Sequence, residues 1–439
     1  MNNRSTTRST TPGKIRILLW ACIIGVIVSL GVNFLVYSAS HSVAQAVGED
    51  TAPRVVAANH INALLADAHS NAMNAMVTKE KSGGRFWTLY RKDMLDLHSQ
   101  IIEISKNTIF GEAQRSPILA LMSNVGTYEY TLGGAVSNGA EISVDQFGEA
   151  NRLMQQKILP ASVTLNKVYS SYLDAIYNSY IKNIDAAMML LFGVGIISFL
   201  LLLGTQYYLF KKTHRVFNIG LMLATTLFMI NIVYSVSALN SVKADLYSAK
   251  HDAFDSIQVL WSARATAYNA NALESLYLLH NGTGIVQTAD TINFNLSAAS
   301  LCSDPKAALS GGKFEGYLSV ALSNITFEGE KSATTLALED WAKYVQIDKQ
   351  IRNLEYDSKH NEAITLNVGE STGQSNYEFA KFDTELGKTI DINQVNFDSS
   401  MSLVFKTLKI FPYITLGFLL LIIMACVMGL KPRIEEYKA

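Results

Sequence analysis

Apolar positions in this chain are gathered into blocks. Four windows, at 17–37, 186–210, 216–239 and 410–430, are almost free of charged residues. Each is about 20 residues or slightly longer, the length a helix needs to cross roughly 30 Å of hydrocarbon. Outside these windows polar residues dominate, and apolar ones recur at helical spacing.

The stretch 221–281 joins the two regimes without a break. It contains no Gly or Pro, and Gly220 and Gly282 flank it. Its first third lies in the third apolar window. Beyond Lys243, Leu246, Ala253, Leu260 and Ala267 recur every seven positions, with Ala249, Ala263 and Ala270 offset by three. That spacing predicts one helix leaving the membrane and continuing as a wall of a helical bundle, about 90 Å long at 1.5 Å per residue.

The same reading along the rest of the chain predicts an all-α membrane protein. Its four transmembrane helices carry two exported antiparallel helical bundles in tandem. The predicted segments are a tail (1–16), a first membrane helix (17–37), a four-helix bundle (38–185) and a second membrane helix (186–210). A turn (211–215), a third membrane helix (216–239), a second bundle (240–409), a fourth membrane helix (410–430) and a tail (431–439) follow. Gly48 and Pro53 are expected to interrupt the first long helix and Pro160 to kink another. The Gly- and Pro-containing stretch 282–318 reads as extra material at the loop end of the second bundle. Arg16 and Arg215, and the runs 70–76 and 270–276, share an offset of about 200 residues, which suggests a duplicated unit of membrane helix, bundle and membrane helix.

Basic residues orient the chain. Arg4, Arg8, Lys14 and Arg16 precede the first window, Lys211, Lys212 and Arg215 separate the second from the third, and Lys431, Arg433 and Lys438 follow the fourth. The positive-inside bias places these segments and both termini in the cytoplasm of a bacterial plasma membrane. The first window is too long for a cleaved signal peptide. With 36 Lys and Arg against 37 Asp and Glu, the charge balance points to no nucleic-acid partner. Of three cysteines, Cys22 and Cys426 fall in membrane windows, so Cys302 has no exported partner and reads as a buried, inert thiol.

Catalytic signatures are missing. No HExxH, paired CxxC, GxGxxG or GxxxxGK[ST] occurs, and no histidines share metal-ligand spacing, so the expectation is no enzyme, no metal and no cofactor. A ligand site is suggested by Arg264, Tyr268, Asn271 and Ser275, which fall on one stripe of the long helix. A guanidinium fork beside amide and hydroxyl groups suits a carboxylate solute. The plainer alternative pairs Arg264 with a bundle carboxylate and leaves the others in a polar layer. Trp341, Tyr344 and Tyr356 read as core aromatics, and Asn33, Asn218 and Asn231 as interhelical hydrogen bonders in the membrane. Lys211, Lys212, Arg215 and Arg433 are the handles for a cytoplasmic partner, or else plain anchors at the lipid surface.

The layout resembles the ligand-binding half of bacterial chemoreceptors and sensor kinases, without the signalling helices those carry. The run 262–279, Gly316-Tyr317-Leu318, 324–330, Gly373-Gln374-Ser375-Asn376, 391–394 and Phe397-Asp398 are similar to bacterial, actinobacterial-type, four-helix membrane proteins. The resemblance rests mainly on the second half. It implies a membrane link between a solute-binding lipoprotein outside and a soluble Ser/Thr kinase inside, and the receptor-like layout implies a homodimer among membrane lipids. The expected function is therefore a signal relay or sensor. A structural or assembly subunit of an envelope complex is the alternative, and a transport component is less favoured for want of charge inside the membrane.

Overall fold

The computed structural model describes residues 11–106, 111–137, 144–213, 218–280 and 284–436. Every regular element among them is helical. In chain order these are α1 (Thr11–Gln45), α2 (Ala52–Val77), α3 (Arg85–Ser105), α4 (Glu112–Ser137), α5 (Val144–Leu153), α6 (Leu159–Thr213) and α7 (Ile219–Tyr247). The remainder are α8 (Asp255–Leu279), α9 (Gly284–Leu301), α10 (Pro305–Leu309), α11 (Tyr317–Ser323), α12 (Glu330–Tyr356), α13 (His360–Val368) and α14 (Ser375–Glu435). Four continuous helical stretches, Thr11–Val77, Gly148–Lys212, Ile219–Leu279 and Ser375–Glu435, are long and apolar enough to cross a membrane. The chain is an all-α, multi-pass membrane protein.

Contacts divide it into two units. A membrane unit comprises Met1–Val47, Asp174–Tyr247 and Ser399–Ala439, and a bundle unit comprises Gly48–Leu173 and Ser248–Asp398. Where the pattern of the sequence draws one bundle in each half, at 38–185 and 240–409, the packing gathers both halves into this one bundle unit. The reason is the α2–α8 pair, which no periodicity within either half could reveal.

In the membrane unit, large apolar side chains face outward: Ile17, Trp20, Phe34, Leu35, Met189, Ile197 and Met428 are all well exposed. Its interior combines apolar residues such as Ile15, Leu202, Leu221, Phe228 and Ile422 with small and weakly polar ones that let helices approach closely. Cys22 lies 3.3 Å from the Thr205 hydroxyl, and Ser198 Oγ donates to the Gly25 carbonyl at 3.0 Å. Asn218 Nδ2 donates to the Gly429 carbonyl at 2.8 Å, as expected of an interhelical amide. Asn33 instead donates to the Ser29 carbonyl of its own helix, because that acceptor is one turn away and always present. Gly220 and Gly429 meet backbone to backbone.

The bundle unit has two nearly all-buried helices. In α2, 52–77, and in α8, residues on every side are covered, Ala58, Ala68, Ala72 and Ala75 on one and Ala263, Ala267, Ala270 and Ala272 on the other. A helix buried all round belongs inside a bundle. The seven-residue repeat holds throughout: Leu246, Ala249, Ala253, Leu260, Ala263, Ala267 and Ala270 are all buried. Trp341 and Tyr344 are core, packed with Phe379 and Phe382, whereas Tyr356 is 91 % exposed at the end of its helix, where no neighbour reaches it. The stretch read as loop-end insertion includes a full helix, α9, because its Gly284 starts the helix rather than ending one.

Gly48, Pro53 and Pro160 do not break their helices. A π-helical turn at Ala46–Thr51 precedes Pro53 and another at Met154–Ile158 precedes Pro160. Proline lacks an N–H and its ring crowds the carbonyl four residues back, and a widened turn accommodates both defects while the helix continues. A third π turn, Ser248–Phe254, has no proline but sits in the second half about where Ala46–Thr51 sits in the first. Widened turns leave carbonyls to be satisfied, and side chains supply the donors. Arg54 Nε donates to Asp50 O at 2.8 Å, and Asn324 Nδ2 to His251 O at 3.0 Å and Ser256 Oγ at 2.8 Å. Glu330 holds the segment that carries Asn324: its carboxylate accepts from the Thr326 and Phe327 amides at 3.0 and 3.2 Å and from Asn393 at 2.9 Å. Gly329 just before α12 has φ 85°, a left-handed turn that other residues adopt only with strain.

A Cβ at Gly220 would stand 2.6 Å from Gly429 Cα and 2.8 Å from the Ala425 carbonyl. Replacing Gly220 by Val should destabilise the membrane unit by about 1–3 kcal/mol through overpacking. Thermal unfolding in detergent, beside a Gly417→Val control that meets nothing within 4 Å, measures it.

Candidate functional site

The polar side chains of the bundle unit converge on the α2–α8 seam. Both helices are alanine-rich and therefore close together, so the polar residues among the alanines face one another rather than water. Ser70 Oγ donates to Asn271 Oδ1, and Ser275 Oγ donates to Asn74 Oδ1 at 2.6 Å. The members of each pair are 201 positions apart, so the helices run parallel and in step. Asn271 Nδ2 reaches Asn376 at 3.3 Å, and Ser275 also donates to Asn367 at 3.1 Å.

This ladder ends on Glu274, which is fully buried. Its Oε2 accepts from Ser375 Oγ at 2.7 Å, Asn367 Nδ2 at 3.0 Å and the Tyr344 hydroxyl at 3.3 Å. Its Oε1 is buried without a partner among the described residues. Burial first, and the nearby Asp348 charge second, push the Glu274 carboxyl up to about 8, against the pull of Ser375, Arg352 and Tyr344. Asp348 itself is held by a two-pronged ion pair with Arg352, at 2.8 Å on both oxygens. The Arg352 guanidinium lies over the rings of Tyr277 and Phe294 at 4.3 and 4.9 Å, so this buried cation is enclosed by aromatic faces.

About two to three turns earlier on α8 the seam carries charge. Arg264 Nε and Nη2 donate to the two oxygens of Asp383, both at 2.7 Å. Burial opposes the Arg264 charge, but the Asp383 carboxylate outweighs it and holds the guanidinium above its ordinary range. The guanidinium also sits 5.3 Å from the Trp261 ring. The Tyr268 hydroxyl faces Asp67 and Asp383, and its ring meets Phe379 edge-on at 5.1 Å. Across the seam, Asn71 Nδ2 donates to Asp67 Oδ1 at 2.9 Å and to Asp93 Oδ2 at 2.8 Å, so one amide ties α2 to α3.

The four residues predicted to form a ligand site all lie along the α2–α8 seam and face partners within the protein. These are Asp383 for Arg264 and Tyr268, Ser70 and Asn376 for Asn271, and Asn74 and Asn367 for Ser275. Arg264 presents its fork to Asp383, which occupies the place a solute carboxylate would take. Of the predicted cytoplasmic handles, Lys211 and Lys212 are exposed at the end of α6, and Arg433 pairs with Glu436 at 2.6 Å. Arg215 lies outside the described residues. Cys302 is buried, and burial raises its thiol to about 11, which leaves it unreactive. Sequence reasoning passed over Glu274, Asp67, Asp93 and Asp383. Two of these, Asp67 and Glu274, sit on the alanine-rich helices α2 and α8, where an acid among alanines is itself a signal. Their partners come from α3, α12, α13 and α14, which no local spacing connects. A shallow, open depression lined by Leu354, Asn361, Glu362, Thr365, Leu366 and Gln374 lies on the surface. Among the described residues no acidic, His or Cys group is arranged to hold a metal ion.

Residues 43–178, from the end of α1 through α5 into α6, match the family model described as an actinobacterial sensor domain. This part of the first half is what the chain is similar to, whereas the residue-level resemblance above rests on the second half. No curated protein and no solved structure matches the chain.

Two outcomes follow. Glu274 binds its proton more tightly in the fold than in the unfolded chain, so stability is present below the ordinary glutamate range and declines as pH rises through about 8. The steepest slope is about 1.4 kcal/mol per pH unit. Glu274→Gln should flatten that decline in chemical denaturation followed across pH. Separately, Arg264→Leu should cost about 3–5 kcal/mol by stranding Asp383, and Arg264→Leu with Asp383→Leu should recover most of it.

Proposed function

We propose that the chain is a membrane-embedded sensor that relays a change in bundle packing along its helices. The observation that carries this reading is the α2–α8 pair. Each helix continues one of the stretches long enough to cross a membrane, and the two are held in step by hydrogen bonds rather than by large apolar side chains. Hydrogen-bonded ladders between parallel helices have discrete alternatives, since a shift of one or two ångströms exchanges one partner for another. The match of 43–178 to a sensor domain supports the same role. In this reading both termini are cytoplasmic, and the exposed Lys211 and Lys212 with Arg433 meet a signalling protein such as a kinase. A stimulus, whether a solute or a solute-binding protein, acts by altering the charges of the seam.

The rival is a structural or assembly subunit, and one observation favours it. Leu95 and Ile102 on α3 and Leu119, Met122 and Tyr130 on α4 are all more than half exposed, an apolar face suited to docking.

Electron–electron resonance distances in the full-length protein in nanodiscs separate the two. One label pair is placed at Leu95 and Val395 in the bundle unit, another at Lys212 and Lys431 in the membrane unit. As pH, salt and free amino acids are varied, both distance distributions should change together. Distributions that stay unchanged under every condition would sink the relay and leave the docking role.

A further inference from the structure

The charged part of the seam holds more acid than base. Asp67 and Asp383 face one cation, Arg264, and Asp383 takes both prongs of its fork, while the cation near Asp93 is Lys92, whose side chain is exposed. Asp67 and Asp93 are left with a shared amide, Asn71, whose one nitrogen donates to a carboxylate on α2 and to another on α3. An amide N–H has no charge to offer, so two ionised carboxylates so placed repel each other through a poorly hydrated gap. Asp93 is only 7 % exposed, which removes water as the compensating partner.

The surroundings do not correct the imbalance. On α3, Lys92 and Asp96 flank Asp93 with opposite charges. On α8, Tyr268 offers a neutral hydroxyl to Asp67, and Arg264 is committed to Asp383 on α14. On α2, His60 lies against Trp261 at 5.0 Å, and burial and Arg264 hold its imidazole below the usual range, with Asp96 pulling the other way. From α4, Glu129 adds a further negative charge near Tyr90.

We propose that Asp67 and Asp93 form a proton-binding site in which one of the two carboxyls keeps a proton while the Asn71 amide, donating to both, ties α2 to α3. Loss of that proton turns the bridge into a repulsive pair facing Asp383. The consequence is a loosening of α3 and α14 from the α2–α8 core. The surroundings favour the protonated form of both carboxyls: burial pushes Asp93 up to about 6, and burial followed by the Asp93 charge raises Asp67 well above the ordinary carboxylate range. This inference rests on the sensor reading and names its stimulus as external pH.

The test uses full-length protein in nanodiscs, with infrared difference spectra recorded between about pH 5 and about pH 8, a span that brackets the raised carboxyl range. Wild type should show the carbonyl stretch of a protonated carboxyl at the acid end and lose it at the other. The Glu274 carboxyl, held up to about 8, changes over the same span, so the part of the band that Glu274→Gln retains is the one assigned to the Asp pair. Asp67→Asn and Asp93→Asn, tested separately so that one misfolded variant does not decide the matter, should each remove that band. The exposed control Asp96→Asn should keep it. Asp93→Asn should also hold the Leu95–Val395 distance in its acid-state value at every pH. A wild-type spectrum without the band, or a band that survives both Asn variants, overturns the proton site whatever the relay does. A band that behaves as described beside an unmoving Lys212–Lys431 distance supports the proton site and removes the relay reading alone.

Discussion

Small side chains let α2 and α8 approach closely, and that closeness dictates what their shared seam can contain. Alanine contributes little apolar area per residue, so the pair cannot be specified by bulk hydrophobic contacts alone. Hydrogen bonds between Ser70 and Asn271 and between Asn74 and Ser275 supply register instead. Buried polar groups cost free energy unless paired, so a one-residue slip would strand several of them at once. The surrounding helices then serve two purposes. They cover the seam, and they bring the partners that its acids require.

That second purpose explains why so much of the second half is devoted to satisfying single atoms. Asn324 caps the π turn Ser248–Phe254, Glu330 and Asn393 hold the loop that carries Asn324, and Ser375 and Asn367 reach Glu274. The segments that make these contacts all lie in the second half of the chain. They read as supports for the seam, which is where charge and burial conflict. Glu274 and the Asp67–Asp93 pair are costly features along one seam, and in the proposed sensor that cost would hold two packings close in energy.

Part of the site was legible beforehand. Arg264, Tyr268, Asn271 and Ser275 fall on one stripe because α8 is regular, and helical geometry alone puts them in line. The alternative in which Arg264 pairs with a carboxylate was also open from charge considerations. What could not be read was which carboxylate, since Asp383 lies 119 positions away on α14. Asp93 and Asn71 were equally hidden, being ordinary polar residues on helices whose faces show their neighbours only after packing.

By itself the sequence determined the helical class, the four membrane windows and the buried face of the long stretch through Leu246, Leu260 and Ala270. These follow from local physics: apolar length against bilayer thickness, and a repeat of side chains around a helix. The tertiary structure alone decided that both halves share one bundle unit, that Pro53 and Pro160 are absorbed by widened turns, and that the polar stripe is closed from within. Each of those outcomes depends on contacts between residues far apart in the chain. A buried charge or a spare carbonyl is settled by whichever distant helix can bring a partner to it, and local pattern carries no record of that choice.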